Sequence, residues 1–197
     1  MDFAERLSLW LNAFDAIELQ SAHHTIRGLH APTPGAARAG TQGALAQDLQ
    51  RARAVLARAI TQAVPSPQDT ARGFAWYRDR HLELQRQMEL LIGPLRAHVR
   101  EVASCRSARV RQLAALDAAM ERVLAAREQA LMAKLPALLK RRFEQLQAGA
   151  AAGDDMDDWL QAFGREWRLA LLAELDVRLA PVAGLVEAAA DDGNQTP

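Results

Sequence analysis

Between Phe74 and Val102 the chain returns nine times to one helical face, through Phe74, Tyr77, His81, Leu84, Met88, Leu91, Leu95, His98 and Val102. The steps alternate three and four without exception, a period of about 3.5 residues. A helix with that period keeps one seam against a partner helix, whereas a strand, with its period of two, cannot carry it. Arg78, Arg80 and Gln85 flank the stripe in its narrow first half, and Ile92 and Val99 widen it in its second. The widening is the pattern of a helix packed in a bundle. Gly93-Pro94 falls in the middle, and Pro94 removes one backbone hydrogen bond. The apolar register survives it, so the sequence predicts a kink and no domain break.

Composition supports helices throughout. The chain holds 41 Ala and 28 Leu against 9 Val and 4 Ile, which favours helix and leaves little β-branched material for a sheet. Ahead of the stripe, Asp2-Phe3-Ala4-Glu5 has the form of a capping box, and Phe3, Leu7, Trp10, Phe14 and Ile17 share one face of a helix running to about Arg27. Residues 28–43, rich in Pro and Gly, read as a mobile loop. A helix follows over 44–63 with Leu45, Leu49, Leu56 and Ile60 inward, ended by Pro65-Ser66-Pro67.

Ser107 is a good N-cap for a second long helix, about 108–134, which Pro136 kinks or restarts and which continues to about Gln147, so that 108–147 is read as one long kinked unit. Its apolar positions are Val110, Leu113, Leu116, Met120, Val123, Leu124 and Leu131, continued by Leu138, Leu139, Phe143 and Leu146. Residues 148–155 read as a linker. Asp154, Asp155, Asp157 and Asp158 then crowd a helix start, where negative charge meets the positive end of the macrodipole. That last helix buries Leu160, Phe163, Trp167, Leu171, Leu175 and Leu179, Pro181 interrupts it, and 191–197 is a disordered tail.

Charge is polarised although its sum is zero. Residues 1–50 carry −2, 51–100 +5, 101–147 +4 and 148–197 −7. The 22 Arg to 2 Lys ratio reflects the same GC-rich coding as the Ala, Gly and Pro content and is no sign of nucleic-acid chemistry. Arg51, Arg53 and Arg58, with Arg106, Arg109 and Arg111, give a basic middle, but a phosphate binder shows a clearly basic domain and no helix-turn-helix is evident.

The chemistry-bearing residues form no recognisable catalytic set. His23 and His24 are adjacent and point about 100° apart on a helix, so they cannot chelate one ion together. No Glu-x-x-His pair for a di-iron bundle is present, and the Asp154–Asp158 cluster lacks the glycine and glutamate of an EF-hand. Cys105, the single cysteine, reads as a small half-buried hydrophobe, and it excludes an internal disulfide or cysteine zinc cluster. His81 and His98 read as core or interface residues. No phosphate loop or nucleophile elbow appears. No cofactor, no metal and no enzymatic activity are expected. No apolar run reaches the length of a membrane span, and the amino terminus is acidic, so membrane insertion is not expected and the location expected is cytoplasmic.

Tyr77-Arg78-Asp79-Arg80-His81-Leu82-Glu83-Leu84-Gln85-Arg86-Gln87-Met88 with Gly93-Pro94-Leu95-Arg96 resembles an uncharacterised proteobacterial family of all-helical proteins. So do Leu113-Ala114-Ala115-Leu116-Asp117-Ala118, Pro136-Ala137-Leu138-Leu139, Arg141-Arg142-Phe143-Glu144 and Leu172-Ala173-Glu174-Leu175-Asp176. The resemblance supplies no activity and no functional residues. It implies genes lying beside those for proton-channel-type membrane proteins and peptidoglycan-binding envelope proteins, hence a cytoplasmic accessory to an envelope machine.

The sequence thus predicts an all-α, elongated bundle of six or seven helices in one domain over 1–190, built on two long kinked antiparallel helices with coiled-coil-like packing. The expected role is protein–protein interaction without catalysis, with a protein partner and a homodimer formed through the stripe Phe74, Tyr77, His81, Leu84 and Met88. The rival is a regulatory nucleic-acid binder using the basic middle.

Overall fold

The computed structural model describes residues 13–29, 40–70, 72–150 and 158–194. Among them the chain is helical and holds no strand. The helices are α1 (Ala13–Arg27), α2 (Gly40–Thr61), the single turn α3 (Pro67–Thr70), α4 (Phe74–Ser104), α5 (Ala108–Met132), α6 (Leu135–Ala150) and α7 (Asp158–Asn194). The fold class read from the stripe and the Ala/Leu excess is the one observed. The capping box at Asp2, the stripe from Phe3 to Phe14, most of the expected 28–43 loop, residues 151–157 of the linker and the tail from 195 lie outside the described residues or side chains.

Local chemistry sets the boundaries. Gly28 ends α1, its N–H donating to the Thr25 carbonyl at 3.1 Å. α2 begins at Gly40, four residues before the expected start. Ser66 and Asp69 cap α3 reciprocally: the Asp69 N–H donates to Ser66 Oγ at 3.2 Å, and the Ser66 N–H donates to Asp69 Oδ2 at 3.1 Å. Gly73 then turns the chain into α4 with φ at +57°, a conformation glycine adopts without a Cβ penalty. Ser107 caps α5, accepting from the Val110 N–H at 3.4 Å.

Two expectations about prolines are corrected. The expected kinked helix over 108–147 is two helices, separated at Ala133 and Lys134, where the Lys134 N–H turns back to the Leu131 carbonyl at 3.0 Å. Pro136 stands second in α6, a first-turn position whose N–H would have no helical partner in any case. Pro181 ends nothing: α7 runs through it from Asp158 to Asn194, as α4 runs through Pro94. In both helices the carbonyl that loses its donor belongs to an exposed residue four positions earlier, Leu90 at 71% and Val177 at 54% exposure. Water can satisfy it there, which removes most of the reason for a helix to stop.

The heptad reading of α4 is corrected as well. The buried positions are Tyr77, His81, Leu84, Gln85, Met88, Ile92, Val99 and Ala103, while Leu91 and His98 are exposed and Val102 is half-buried. Buried residues therefore recur eleven apart, 77 to 88 to 99 and 81 to 92 to 103. Eleven residues over three turns is close to the natural period of a straight helix, so the seam does not follow the 3.5-residue coiled-coil register.

The chain divides into two compact units. One comprises residues 47–95 and 129–180. Its core is large-residue packing: Leu56 and Ile60 of α2, Leu84, Met88 and Ile92 of α4, and Leu171, Leu175 and Leu179 of α7. Beside them stands an aromatic cluster in which Tyr77 meets Phe163 edge-on at 4.9 Å and Phe143 meets Phe163 at 5.0 Å, with Phe74, Trp76, Trp159 and Trp167 around them. The other unit comprises 1–46, 96–128 and 181–197. Among the described residues its core is built mostly from small side chains, Val99, Ala103, Val110, Ala114, Ala119, Val123, Val182 and Ala189, with Leu45 and Leu185.

Candidate interaction groove

The four-charge lattice between α4 and α5 sets the geometry of the small-residue unit. Arg96 clamps Asp117 through two parallel bonds, Nη2 to Oδ1 at 2.6 Å and Nε to Oδ2 at 3.0 Å. Arg100, one turn on, reaches Asp117 at 2.5 Å and Glu121 at 2.5 Å, and Arg96 also reaches Glu121 at 3.2 Å. Two arginines four apart on one helix thus face two acids four apart on the next, the bidentate fit for which arginine is suited. Burial pushes the Asp117 carboxyl up, but hydrogen bonds from Arg96 and Arg100 outweigh it and hold the group below its ordinary value. α1 is tied to the same helix by Asp15–Arg127 and by Glu18–Arg122 at 3.4 Å.

Against this lattice α5 leaves its large apolar side chains uncovered. Leu113 is 36% and Leu116 43% exposed, and Met120 and Leu124 are only half-buried. Of the positions expected to form the helix's core stripe, Val110 and Val123 are buried, whereas Leu113, Leu116, Met120 and Leu124 line an open groove of 460 Å³, floored on the α7 side by Pro181, Gly184 and Leu185. α5 carries two apolar faces, and the small-residue one, Val110, Ala114, Ala119 and Val123, is the one buried. A surplus of leucine over one face was visible in the sequence; its destination was not, because alanine is as good a core residue as leucine wherever helices approach closely.

The predicted stripe has a different fate. Tyr77, His81, Leu84 and Met88 are buried within the large-residue unit and Phe74 is half-buried beside Phe143 and Phe163. Their apolar surface is consumed by α7 and α6, so they are core and not a docking stripe. The same core holds a polar group that the sequence reading did not single out. Glu174 is buried and accepts from Gln85 Nε2 at 3.0 and 3.1 Å and from Arg178 at 2.8 Å, with His81 Nε2 at 3.5 Å. Burial raises the Glu174 carboxyl, but His81, Arg178 and Gln85 together hold it below its ordinary value. Glu174 is 3% exposed, and its carboxylate is held by side chains from both α4 and α7.

Other sequence candidates resolve simply. Cys105 is exposed, not half-buried, and His98 is exposed, not core. Part of the basic middle is neutralised by the acidic last helix within the large-residue unit, Arg53 with Asp176 at 2.8 Å and Arg142 with Glu166 at 2.7 Å. Among the described residues no cluster of metal-binding side chains occurs, and no helix is long and apolar enough to cross a membrane.

A family model for proteins of unknown function, DUF3348, matches residues 1–191. The chain belongs to the DUF3348 family. No curated protein and no solved structure matches it. In this DUF3348 protein the groove on α5 is the feature that bears on function.

Proposed function

We propose that this DUF3348 protein is a non-catalytic scaffold or accessory subunit that docks a partner's helix in the groove between α5 and α7. The observation that carries the reading is the row Leu113, Leu116, Met120 and Leu124, left open to solvent on a helix braced by Arg96 and Arg100. A rigid apolar trough of this kind is how amphipathic helices are bound, through anchors at i, i+3, i+4 and i+7. The setting we propose, the cytoplasm of a proteobacterium beside an envelope machine, draws its support from the family resemblance alone. A homodimer through the Phe74–Met88 stripe is not proposed, since those side chains are core, and the internal pairing of Arg53 and Arg142 weakens the nucleic-acid reading.

A photo-cross-linking residue placed at Leu116, and in a second variant at Leu138 (exposed on α6 and not lining the groove), tests this in the native host. The reading requires one protein to be captured from Leu116 and not from Leu138. Equal capture from both positions, or none from Leu116, ends it.

A further inference from the structure

We infer that the groove's occupant is a basic amphipathic helix, an apolar stripe flanked by lysine or arginine, supplied by a partner protein. The inference deepens the docking reading above and rests on it. Two cavities on this unit share Leu113 and Gly184, the larger running toward Glu128 and a smaller one, of 250 Å³, running toward Arg109 and Asp191. Joined, they make one trough along α5 from Arg109 to Glu128, about 28 Å at the rise of an α-helix. That length suits a helix of about five turns.

The floor of the trough sets the apolar half of the partner, and its rim sets the polar half. Arg96, Arg100, Asp117 and Glu121 cancel one another in the lattice already described. What remains around the trough is Glu128 at one end, then Glu187 and Asp191 at the other, against Arg109. Asp192, beside them, is engaged by the Ser107 N–H at 3.3 Å and is not counted. The excess is two negative charges, one toward each end of an apolar floor. A helix with bases at both ends of its stripe would be drawn in and aligned there; one with acids would meet like charge on partly desolvated ground.

Gly184 supplies a clean block. It is exposed at the point where the two cavities meet, and a Cβ built there has no neighbour within 4 Å. A leucine at this site fills the trough without pressing on the fold.

The test uses full-length protein and two synthetic helices of sixteen residues with the same leucine face, one flanked by lysines and one by glutamates, followed by fluorescence anisotropy. The inference expects the lysine peptide to bind at least about tenfold more tightly, to weaken as salt rises, and to lose at least about tenfold in affinity with the Gly184→Leu variant, whose melting temperature is unchanged or raised. Equal binding of the two peptides, both abolished by Gly184→Leu, overturns the basic partner and leaves the docking groove standing. Binding of neither overturns both. Binding that Gly184→Leu leaves untouched places the site elsewhere and overturns both as well. Tight binding that appears only in a Leu7→Glu, Trp10→Glu variant identifies the chain's own first residues as the occupant and overturns the partner.

Discussion

The side-chain amide of Gln85, on α4, donates to both carboxylate oxygens of Glu174, on α7, at 3.0 and 3.1 Å inside the large-residue core. The pair ties two long helices in register, because each group finds a partner for its buried polar atoms on the other helix. Arg178 holds the same carboxylate from one turn along α7, and also approaches Glu89 at 3.8 Å.

Removing the acid should therefore be severe. Glu174→Ala leaves Arg178, Gln85 and His81 facing an uncompensated gap, and breaking a buried pair from one side costs about 3–5 kcal/mol. Gln85→Ala removes a neutral donor while the Arg178 bond survives, so its cost should be smaller, about 1–3 kcal/mol. Urea unfolding of the two variants checks the order; a Glu174→Ala protein as stable as the parent would mean the carboxylate contributes nothing to the fold.

The same site sets a pH dependence whose sign follows from its direction. Glu174 lies below its ordinary value of 4.5 when folded, and Asp117 below its ordinary 3.8. Each folded state binds its proton less readily than the unfolded chain, so each contributes stability that is full above the ordinary value and is lost as pH falls through the folded one. Stability should hold near neutral pH and decline below about 4.5. Glu174→Gln should flatten that decline, and an acid midpoint identical in the variant and the parent would show that other carboxylates set it.

Leu84 and Leu116 separate core from groove. Leu84 is fully buried on α4, so Leu84→Ala should cost about 2–5 kcal/mol. Leu116→Ala should stay within about 1 kcal/mol, since nearly half of its side chain is already in water. Thermal melts of the two variants decide whether the exposed leucines of α5 are spare surface or hidden core. A loss at Leu116 comparable with that at Leu84 would remove the groove.

Those two residues also show what the sequence could and could not say. The stripe from Tyr77 to Met88 was legible as one apolar helical face, but the sequence read it as a homodimer seam, and its burial within the chain makes it core. Past Met88 the heptad and eleven-residue readings diverge by one position, and both Leu91 and Ile92 are apolar, so hydrophobicity alone could not choose between them. On α5 the ambiguity is worse. Alanine and leucine occupy two faces, and which one is buried depends on how closely α4 and α7 approach, a property of the partners that the α5 sequence does not carry. The Gln85–Glu174 pair was hidden for a related reason: a glutamate eighty-nine residues away looks like solvated charge until the fold brings Gln85 to it.

Pro94 gives the last expectation. It stands on the exposed side of α4, Gly93 beside it has open space at its Cβ position, and the carbonyl it orphans belongs to Leu90, 71% exposed. If the ring supports no packing, Pro94→Ala restores the bond to Leu90 and relieves the clash with that carbonyl. The full value in a helix interior is about 3 kcal/mol. Hydration of the free carbonyl and the stiffer unfolded chain of the proline form offset part of it, so a net gain of about 1–2 kcal/mol is expected. Gly93→Ala should add about 0.5–1 kcal/mol by removing backbone freedom from the unfolded state. Calorimetry of the single and double variants checks both. A Pro94→Ala protein no more stable than the parent, beside a Gly93→Ala protein that gains as expected, would show that the proline shapes α4 for the packing of Ile92 and Val99, and that its place in the helix is a requirement of the core.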